Sequence, residues 1–371
     1  MPEIIPQLNQ QASAHWRAGE LDQAIKLFSQ IVSLSPRNAV AEHNLASVLG
    51  DVGRWAEAEP HLQQAFRKGL DGPETWLVHG RCMLALLRLD EAERSFRQAI
   101  RRRPAYGDAH RDLAQLRWMR DGDVGAAVAE IDKALSAQPD DPALLMVKAQ
   151  AYEYAGKHED AAALYSTLAE QHPSDINVAA PAASSAIRIG KHAEALAHAE
   201  RAARLAPNES MAQAAMIEAL LATGDAQRAA KIAEDQVKRT PLDQHAIARL
   251  ATAWRLVGDP RYNELYDYNA FVSRASLDVP EGWADLPSYV ADLAVALKAV
   301  HAFKEHPFNQ SLRHGSQAPD LLQQPHPAIR ALKQALDGPI KRRLAELGGG
   351  SDPVHRRRGP KNEPLAADHC P

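Results

Sequence analysis

The chain of 371 residues carries a formal net charge of −4, and 45% of its residues are hydrophobic but only 5% aromatic. A net charge of this size gives no general attraction to nucleic acid or to an anionic membrane. The low aromatic content and the many alanines favour close-packed helices over a β-sandwich. No stretch approaches the roughly 18 apolar residues that a membrane span needs.

The N-terminal residues show no signal-peptide pattern, and Cys82 and Cys370 are too far apart in sequence to indicate a disulfide framework or a zinc site. These features predict a cytoplasmic protein in a reducing compartment. The length allows two or three domains or one long array.

Glycine recurs along the first two thirds of the chain with a fixed period. The turn glycines are Gly19, Gly53, Gly122, Gly156, Gly190, Gly224 and Gly258. Five of the six steps between them are 34 residues long, and the step from Gly53 to Gly122 is one residue longer than two periods. Leu87 stands where a glycine is missing, and the extra residue is expected in the turn at 120–125. Prolines follow the same period, so each unit is predicted as helix A, a glycine turn, helix B and a proline that ends helix B.

A small residue follows each turn glycine, and a larger apolar residue usually comes four places later, as in Ala161 and Tyr165. The pattern is most complete at 76–104, in Trp76, Gly80, Ala92, Phe96, Ala99 and Pro104. This pattern resembles the tetratricopeptide repeat (TPR). The resemblance implies an all-α fold, a right-handed TPR superhelix (α-solenoid) of about seven to eight helix-turn-helix repeats. Seven repeats are expected at 5–241 and a partial or capping eighth at 242–265, where Asn263 replaces the usual alanine.

The resemblance also implies a concave face, formed by the A helices, that binds a peptide or another protein. Helical spacing places that face near the second, fifth, ninth, twelfth and thirteenth residues of each A helix. The residues at these places are His43, Ser47, Asp51, Glu74, Arg81, Asp108, Arg111, Gln115, Trp118, Gln150, Glu153, Tyr154, Asn177, Ser184, Arg188, Glu218, His245 and Arg255. They lack the regular Lys/Asn arrangement with which family members clamp a C-terminal carboxylate, so that ligand is not predicted.

Six of these residues are selected as the candidate partner-binding groove, because Trp and Arg most often anchor binding and the others lie beside them. The six are Arg81, Arg111, Gln115, Trp118, Tyr154 and Arg188. The alternative interpretation is that Trp118 and Tyr154 simply pack between adjacent A helices.

The repeat period is lost after about residue 265. Tyr266, Tyr268, Phe271 and Val272 favour a short strand. Helices are predicted at 286–303 and at 326–349, and Gly338-Pro339 is expected to kink or divide the second helix.

The order of residues at 265–350, with the run from Gln310 to Gln317, resembles bacterial proteins in which TPRs precede a 2-oxoglutarate/Fe(II) oxygenase domain. That resemblance implies iron held by two histidines and a carboxylate on a jelly roll. In the family these ligands follow the point that this chain reaches at residue 350, and the likeness ends near Gly359. We therefore predict an incomplete, mostly helical domain at 266–349, a disordered tail at 350–371, and no catalytic or metal-binding residue in this chain.

Histidine and carboxylate pairs two residues apart do occur in the repeats, for example His110 and Asp112. Residues two apart on a helix point about 200° away from each other, so such a pair cannot bind one metal there. Two hypotheses remain. The favoured one is a protein-interaction scaffold that binds a protein or peptide, with no cofactor, no nucleic acid and no membrane. The alternative is an oxygenase that would need Fe(II) and 2-oxoglutarate in the complete domain. The oligomeric state stays open.

Overall fold

A computed structural model describes residues 4–308, 317–318 and 321–347. The described residues form helices and no strand. The helices are α1 (Ile4–Arg17), α2 (Leu21–Leu34), α3 (Ala39–Asp51), α4 (Trp55–Arg67), α5 (Pro73–Ala85), α6 (Leu89–Arg102), α7 (Gly107–Asp121), α8 (Val124–Ala137), α9 (Pro142–Tyr154), α10 (His158–Gln171), α11 (Ile176–Arg188), α12 (His192–Leu205), α13 (Ser210–Ala222), α14 (Ala226–Arg239), α15 (Gln244–Val257), α16 (Arg261–Leu265), α17 (Tyr268–Phe271), α18 (Leu286–Val300) and α19 (Pro327–Leu347), with a 3-10 turn at Leu321–Gln323. The predicted all-α fold is confirmed.

The chain divides into two compact units, residues 1–147 with 291–330 and residues 148–290 with 331–371. In the first unit, α1 packs on α2, α3 on α4, α5 on α6 and α7 on α8. In the second unit, α11 packs on α12 and α13 on α14. The odd-numbered helices up to α15 are the A helices of the repeats.

The turn between the two helices of a repeat needs a left-handed backbone. Gly156 has φ +74°, and Leu87, the residue at the place of the missing glycine, adopts the same region with φ +59°. The repeat period is therefore kept even where the residue type disfavours it. The extra residue lengthens an A helix, because α7 has 15 residues whereas α5 and α9 have 13. Gly122 ends α7 in the left-handed conformation.

Small residues allow the two helices of a repeat to approach closely. Ala92 and Ala161 are fully buried, and the bulkier Phe96 and Tyr165 are at most 2% exposed. A side chain at Gly80 would place its Cβ 2.4 Å from the ring of Phe96, which real contacts do not allow. The periodic small and large residues therefore form the core between the helices.

The prediction of a strand at 266–272 is wrong. Tyr268–Phe271 forms the short helix α17, which the side chain of Asp267 caps by accepting a hydrogen bond from the Ala270 amide (3.0 Å). The rings of Tyr262 and Tyr266 stack with centroids 5.0 Å apart. Aromatic residues four apart meet on a helix, so these aromatic side chains stabilise a helical turn rather than a strand.

Gly338-Pro339 was expected to kink or divide the second C-terminal helix, and it does not divide it, since α19 continues through Pro339. Pro339 has no amide hydrogen to donate to the carbonyl of Ala335 four residues earlier. The amide of Asp278 donates to that carbonyl instead (3.1 Å). Gly338 gives Asp278 room, because a Cβ there would lie 1.8 Å from its Oδ2, and Arg342 forms an ion pair with the same carboxylate (2.7 Å).

Two expectations lie outside the described residues: the Gln310–Gln317 run as far as residue 316, and the tail at 350–371. Within the described ranges, no helix combines the length and hydropathy that crossing a membrane requires. Cys82 is fully buried in α5, and this burial raises the pKa of its thiol to about 12.

Candidate functional site

Two candidate arginines of the first unit are held by carboxylates of α7. Nε of Arg81 on α5 lies 2.6 Å from Oδ2 of Asp112, and Arg111 lies 2.9 Å from Asp108 and 3.4 Å from Asp112. Burial alone would lower the pKa of Arg81, but the negative charge of Asp112 outweighs it and the net shift is upward. Both arginines are therefore already paired with carboxylates on the A-helix face.

The other two candidates of this unit, Gln115 and Trp118, contact a stretch of the same chain, which we call the 303–308 segment. The Trp118 indole N–H donates to the main-chain carbonyl of His306 (3.1 Å). The amide of Phe308 donates to Oε1 of Gln115 (3.1 Å). Trp118 is only 8% exposed.

The carboxyl end of α7 also contacts the 303–308 segment. The amides of Lys304 and Glu305 both donate to the carbonyl of Met119, at 2.8 and 3.1 Å. Met119 lies in the last turn of α7, where carbonyls have no partner within the helix. The segment therefore satisfies a backbone group that the helix leaves unpaired.

An ionised cluster lies in the core on α7. Arg117 is 8% exposed and donates to Oε1 of Glu93 on α6 through two nitrogens (3.1 Å each) and to the carbonyl of Ala126 (3.2 Å). Arg120 adds a contact to Glu93 at 3.0 Å. Burial alone would raise the pKa of Glu93, but these arginines outweigh it and the pKa falls below its ordinary value.

The two candidates of the second unit lie near the ends of α9 and α11. Nε of Arg188 lies 2.8 Å from Oε1 of Glu153. The same carboxylate accepts a hydrogen bond from the hydroxyl of buried Tyr165 (3.2 Å), whose pKa burial raises. Tyr154 is half-buried beside Glu153 in α9. Arg188, at the end of α11, therefore has a partner at the end of the preceding A helix, α9.

The second unit also contains a cavity of about 450 Å³ that α11, α13 and α15 share. Ala180, Pro181 and Ser184 of α11 line one side. Met211 of α13, which is 48% exposed, lies at the cavity. The cavity follows from small side chains at successive A helices, because they leave space that larger ones would fill.

Both signs of charge border this cavity. Nε of Arg249 on α15 lies 3.0 Å from Oε1 of Glu218 on α13, and both side chains are partly exposed. The carboxylate of Asp243 caps α15 by accepting from the amides of His245 (2.9 Å) and Ala246 (3.2 Å). Arg249 offsets the charge of Glu218, whereas Asp243 is paired with neutral backbone amides only, so the lining has two carboxylates and one arginine.

The sequence had placed Ser184, Glu218 and His245 on the groove face, and all three line the cavity. None was among the six selected candidates, because the selection favoured large aromatic and cationic residues. Ala180 and Ala214, at the fifth place of α11 and α13, were missed altogether. Small residues at the fifth place of two successive A helices, Ala180 and Ala214, are the signal that would have found the cavity.

The oxygenase resemblance implies iron bound by two histidines and a carboxylate. Among residues 4–308, 317–318 and 321–347, no three or more His, Cys, Asp or Glu side chains lie close enough together to hold a metal ion. The ligand set that the resemblance implies is thus not present in this part of the chain.

Helix pairs of constant period, joined by left-handed turns and packed through small residues, define a helical-repeat protein of the α-solenoid class. The family model of the tetratricopeptide repeat matches residues 43–92, 84–142, 119–176 and 181–244. These matches cover more than half of the chain, which therefore belongs to the tetratricopeptide repeat family.

Individual relatives match more weakly. DnaJ homolog subfamily C member 3 of Homo sapiens is 26% identical over an alignment of 149 residues, with coverage of 36% of this chain and 30% of the relative. The chain thus spans less than a third of that relative's length. A tetratricopeptide repeat protein from Parabacteroides merdae is 15% identical with a TM-score of 0.47, over 67% of this chain and 98% of that one. A thermophilic TPR protein in Thermus thermophilus is 21% identical with a TM-score of 0.40, over 49% and 98% of the two chains.

Proposed function

We propose that this chain is a protein-interaction scaffold that binds a segment of a partner protein on the A-helix faces of α11, α13 and α15. The observation that carries the proposal is the cavity of about 450 Å³ that these three helices share. Its volume lies within the range of about 300–1,000 Å³ that is typical of ligand sites. Membership of the tetratricopeptide repeat family supports a scaffold rather than a catalyst.

The lining of the cavity indicates what it would bind. Ala180, Ala214 and Ala215 offer a smooth apolar wall, and exposed Met211 can adapt its shape to a ligand. Pro181 cannot donate an amide hydrogen, so the carbonyl of Asn177 lacks the donor that it would have in a regular helix. A peptide with small apolar side chains and free backbone amides fits this chemistry.

A test begins with a displayed library of random 12-residue peptides that is enriched on the immobilised full chain. An enriched peptide is then synthesised with a fluorescent label, and its dissociation constant is measured by anisotropy. Ala214→Trp fills the cavity and should weaken binding by about tenfold or more, equivalent to about 1.4 kcal/mol. The matched control is Ala163→Trp on α10, where the alanine is exposed, and it should bind as the wild type does.

The circular-dichroism spectra and melting curves of both variants establish that they are folded. Equal affinity of the peptide for wild type, Ala214→Trp and Ala163→Trp would place its site elsewhere and refute the proposal. Failure of the library to enrich any peptide would refute it as well.

We further propose that Arg188 and Tyr154 contact a partner that extends beyond the cavity along the second unit. Arg188 is about half exposed, and its pairing with Glu153 holds the guanidinium in place on the A-helix face. In the first unit, Arg81 and Arg111 are proposed as contacts on the same grounds. Replacing Arg188 by alanine should weaken binding only of partners longer than the cavity, as measured with peptides of two lengths.

The oxygenase alternative stays a prediction from the resemblance at 265–350. No observation in the described residues favours it over the scaffold.

A further inference from the structure

The 303–308 segment lies on α7 as a bound peptide would. Its hydrogen bonds with Trp118, Gln115 and the Met119 carbonyl all involve main-chain atoms of the segment. Main-chain groups are the same in every peptide apart from proline. These hydrogen bonds therefore recognise an extended backbone without requiring a particular sequence.

The side chains of the segment add selectivity. Phe303 is 6% exposed, His306 5% and Phe308 3%. The rings of His306 and Trp118 meet edge to face with centroids 5.9 Å apart. The two phenylalanines, five residues apart in sequence, are the large apolar side chains that the segment buries.

The glycine turn of this repeat takes part as well. The side chain of Glu305 lies over Gly122, where a Cβ would be 3.4 Å from its Cγ. A Cβ at this distance would be in ordinary van der Waals contact, so the Glu305 side chain lies directly beside the turn at the end of α7.

The face of α7 differs from that of other A helices. It places an acceptor, Gln115, at the ninth residue and a donor, Trp118, at the twelfth. The same places hold Gln150 and Glu153 in α9. A glutamate side chain has no N–H donor for a peptide carbonyl when ionised, so α9 lacks this pair of complementary groups.

We propose that the face of α7 formed by Gln115, Trp118 and the Met119 carbonyl is a second peptide-binding site, which the chain's own 303–308 segment fills as an internal ligand. Its partner in trans is an extended peptide with two aromatic side chains five residues apart. The site lies on a different helix and in a different unit from the cavity of the proposed function, so each can fail without the other.

Tethering decides when an external peptide can bind. A tethered segment competes at an effective concentration that the length and stiffness of the intervening chain set. The apparent affinity for a peptide in trans falls in proportion to the fraction of molecules whose site is open. Weakening the internal ligand should therefore strengthen the binding of an external one, which is the opposite of what loss of a structural contact would do.

The probe is a fluorescein-labelled peptide of residues 301–308, HAFKEHPF, and its binding to the full chain is followed by anisotropy. The variant Phe303→Ala/Phe308→Ala should bind it at least about tenfold more tightly than wild type. Adding Gln115→Leu/Trp118→Phe to that variant should abolish the gain. The control peptide HAAKEHPA, which lacks both phenylalanines, should bind neither protein.

The proposal is overturned if the Phe303→Ala/Phe308→Ala variant is folded and binds the probe no better than wild type. Equal binding of the control peptide would overturn it too. If the variant does not fold, hydrogen exchange on the wild type decides the matter. A millimolar excess of unlabelled HAFKEHPF should speed exchange at the amides of Lys304, Glu305 and Phe308, and unchanged exchange there would refute an internal ligand.

Discussion

Helix α7 of the first unit and helix α13 of the second begin from the same repeat pattern but present different surfaces. The ninth residue is Gln115 in α7 and Glu218 in α13, and the twelfth is Trp118 in α7. The α7 face holds the 303–308 segment, whereas the α13 face borders a cavity. The shared pattern sets the helices and their packing, and the places outside it determine what each face can bind.

The two helices also differ inside the core. The eleventh residue of α13 is Leu220, which is fully buried, but α7 has Arg117 at that place. A buried arginine needs a counter-charge, which Glu93 supplies at 3.1 Å. The eleventh place of α7 therefore holds a buried ion pair, whereas the same place of α13 holds a buried apolar side chain.

Among the tests of this contrast, Glu93→Ala is expected to have the largest effect on stability. The substitution leaves Arg117 buried with a weaker set of partners, since Glu130 remains only at 3.6 Å. We expect the free energy of unfolding to fall by about 3 kcal/mol, as for other broken buried pairs. Urea unfolding followed by circular dichroism measures this loss.

The matched control makes α7 resemble α13. Glu93→Leu combined with Arg117→Leu removes both charges, and such replacements are commonly neutral or stabilising. The double variant should therefore be at least as stable as wild type. If Glu93→Ala lowers the free energy of unfolding by less than about 1 kcal/mol, the pair of Arg117 and Glu93 contributes no more than an exposed salt bridge does.

The contribution of Glu93 to the free energy of unfolding should depend on pH. The pKa of Glu93 is lowered in the folded chain, so its stabilising effect is complete above the unfolded pKa of about 4.3. That contribution is lost as the pH falls through the lower folded pKa. Between pH 7 and about 3, wild type should lose more unfolding free energy than the double leucine variant. Parallel losses in the two proteins would contradict this.

A smaller difference is expected at the ninth place. Gln115→Leu removes the acceptor of the Phe308 amide in a partly buried contact and should cost about 1–2 kcal/mol. Glu218→Leu breaks a partly exposed ion pair with Arg249 and should cost less than about 1 kcal/mol. Thermal unfolding of both variants gives the comparison, and a reversed order would show that the 303–308 segment adds little to the stability of α7.

The smallest effect concerns the turns. Leu87 holds the left-handed backbone, which costs a side-chain-bearing residue about 1 kcal/mol, whereas the equivalent turn of α13 has Gly224 with φ +86°. Leu87→Gly should raise the free energy of unfolding by up to about 1 kcal/mol. Leu87→Ala is the control, because it shortens the side chain but keeps the strain. If the Leu87→Gly variant has no higher free energy of unfolding than the Leu87→Ala variant, the backbone at this position is not strained.

The periodic features of the sequence predicted the helix pairs because their causes are local. A left-handed turn requires glycine or a strained substitute, so the 34-residue period located the turn at Leu87 although its residue type argues against it. The close contact of Gly80 with Phe96 is likewise a property of one repeat. The extra residue was expected in the turn at 120–125, but the structure has it as added length of α7, which ends at Asp121.

The remaining features depend on contacts that periodicity does not encode. Trp118 was chosen for its residue type, but its partner at His306 lies 188 residues away in sequence. Pro339 was expected to kink or divide a helix, but α19 continues through it, and the amide of Asp278, distant in sequence, donates the hydrogen bond that Pro339 cannot. The cavity was overlooked because alanine and serine, unlike Trp and Arg, carry no signal of binding when each is considered alone.

The long separation between α7 and its internal ligand has a consequence for synthesis on the ribosome. Helical repeats form from contacts close in sequence and fold early. Chains grow at about 5–20 residues per second, so roughly 10 to 40 seconds pass between the completion of α7 and the emergence of its ligand. During that interval the indole of Trp118 lacks its His306 acceptor, and the nascent chain carries a vacant peptide site that the finished chain later fills itself.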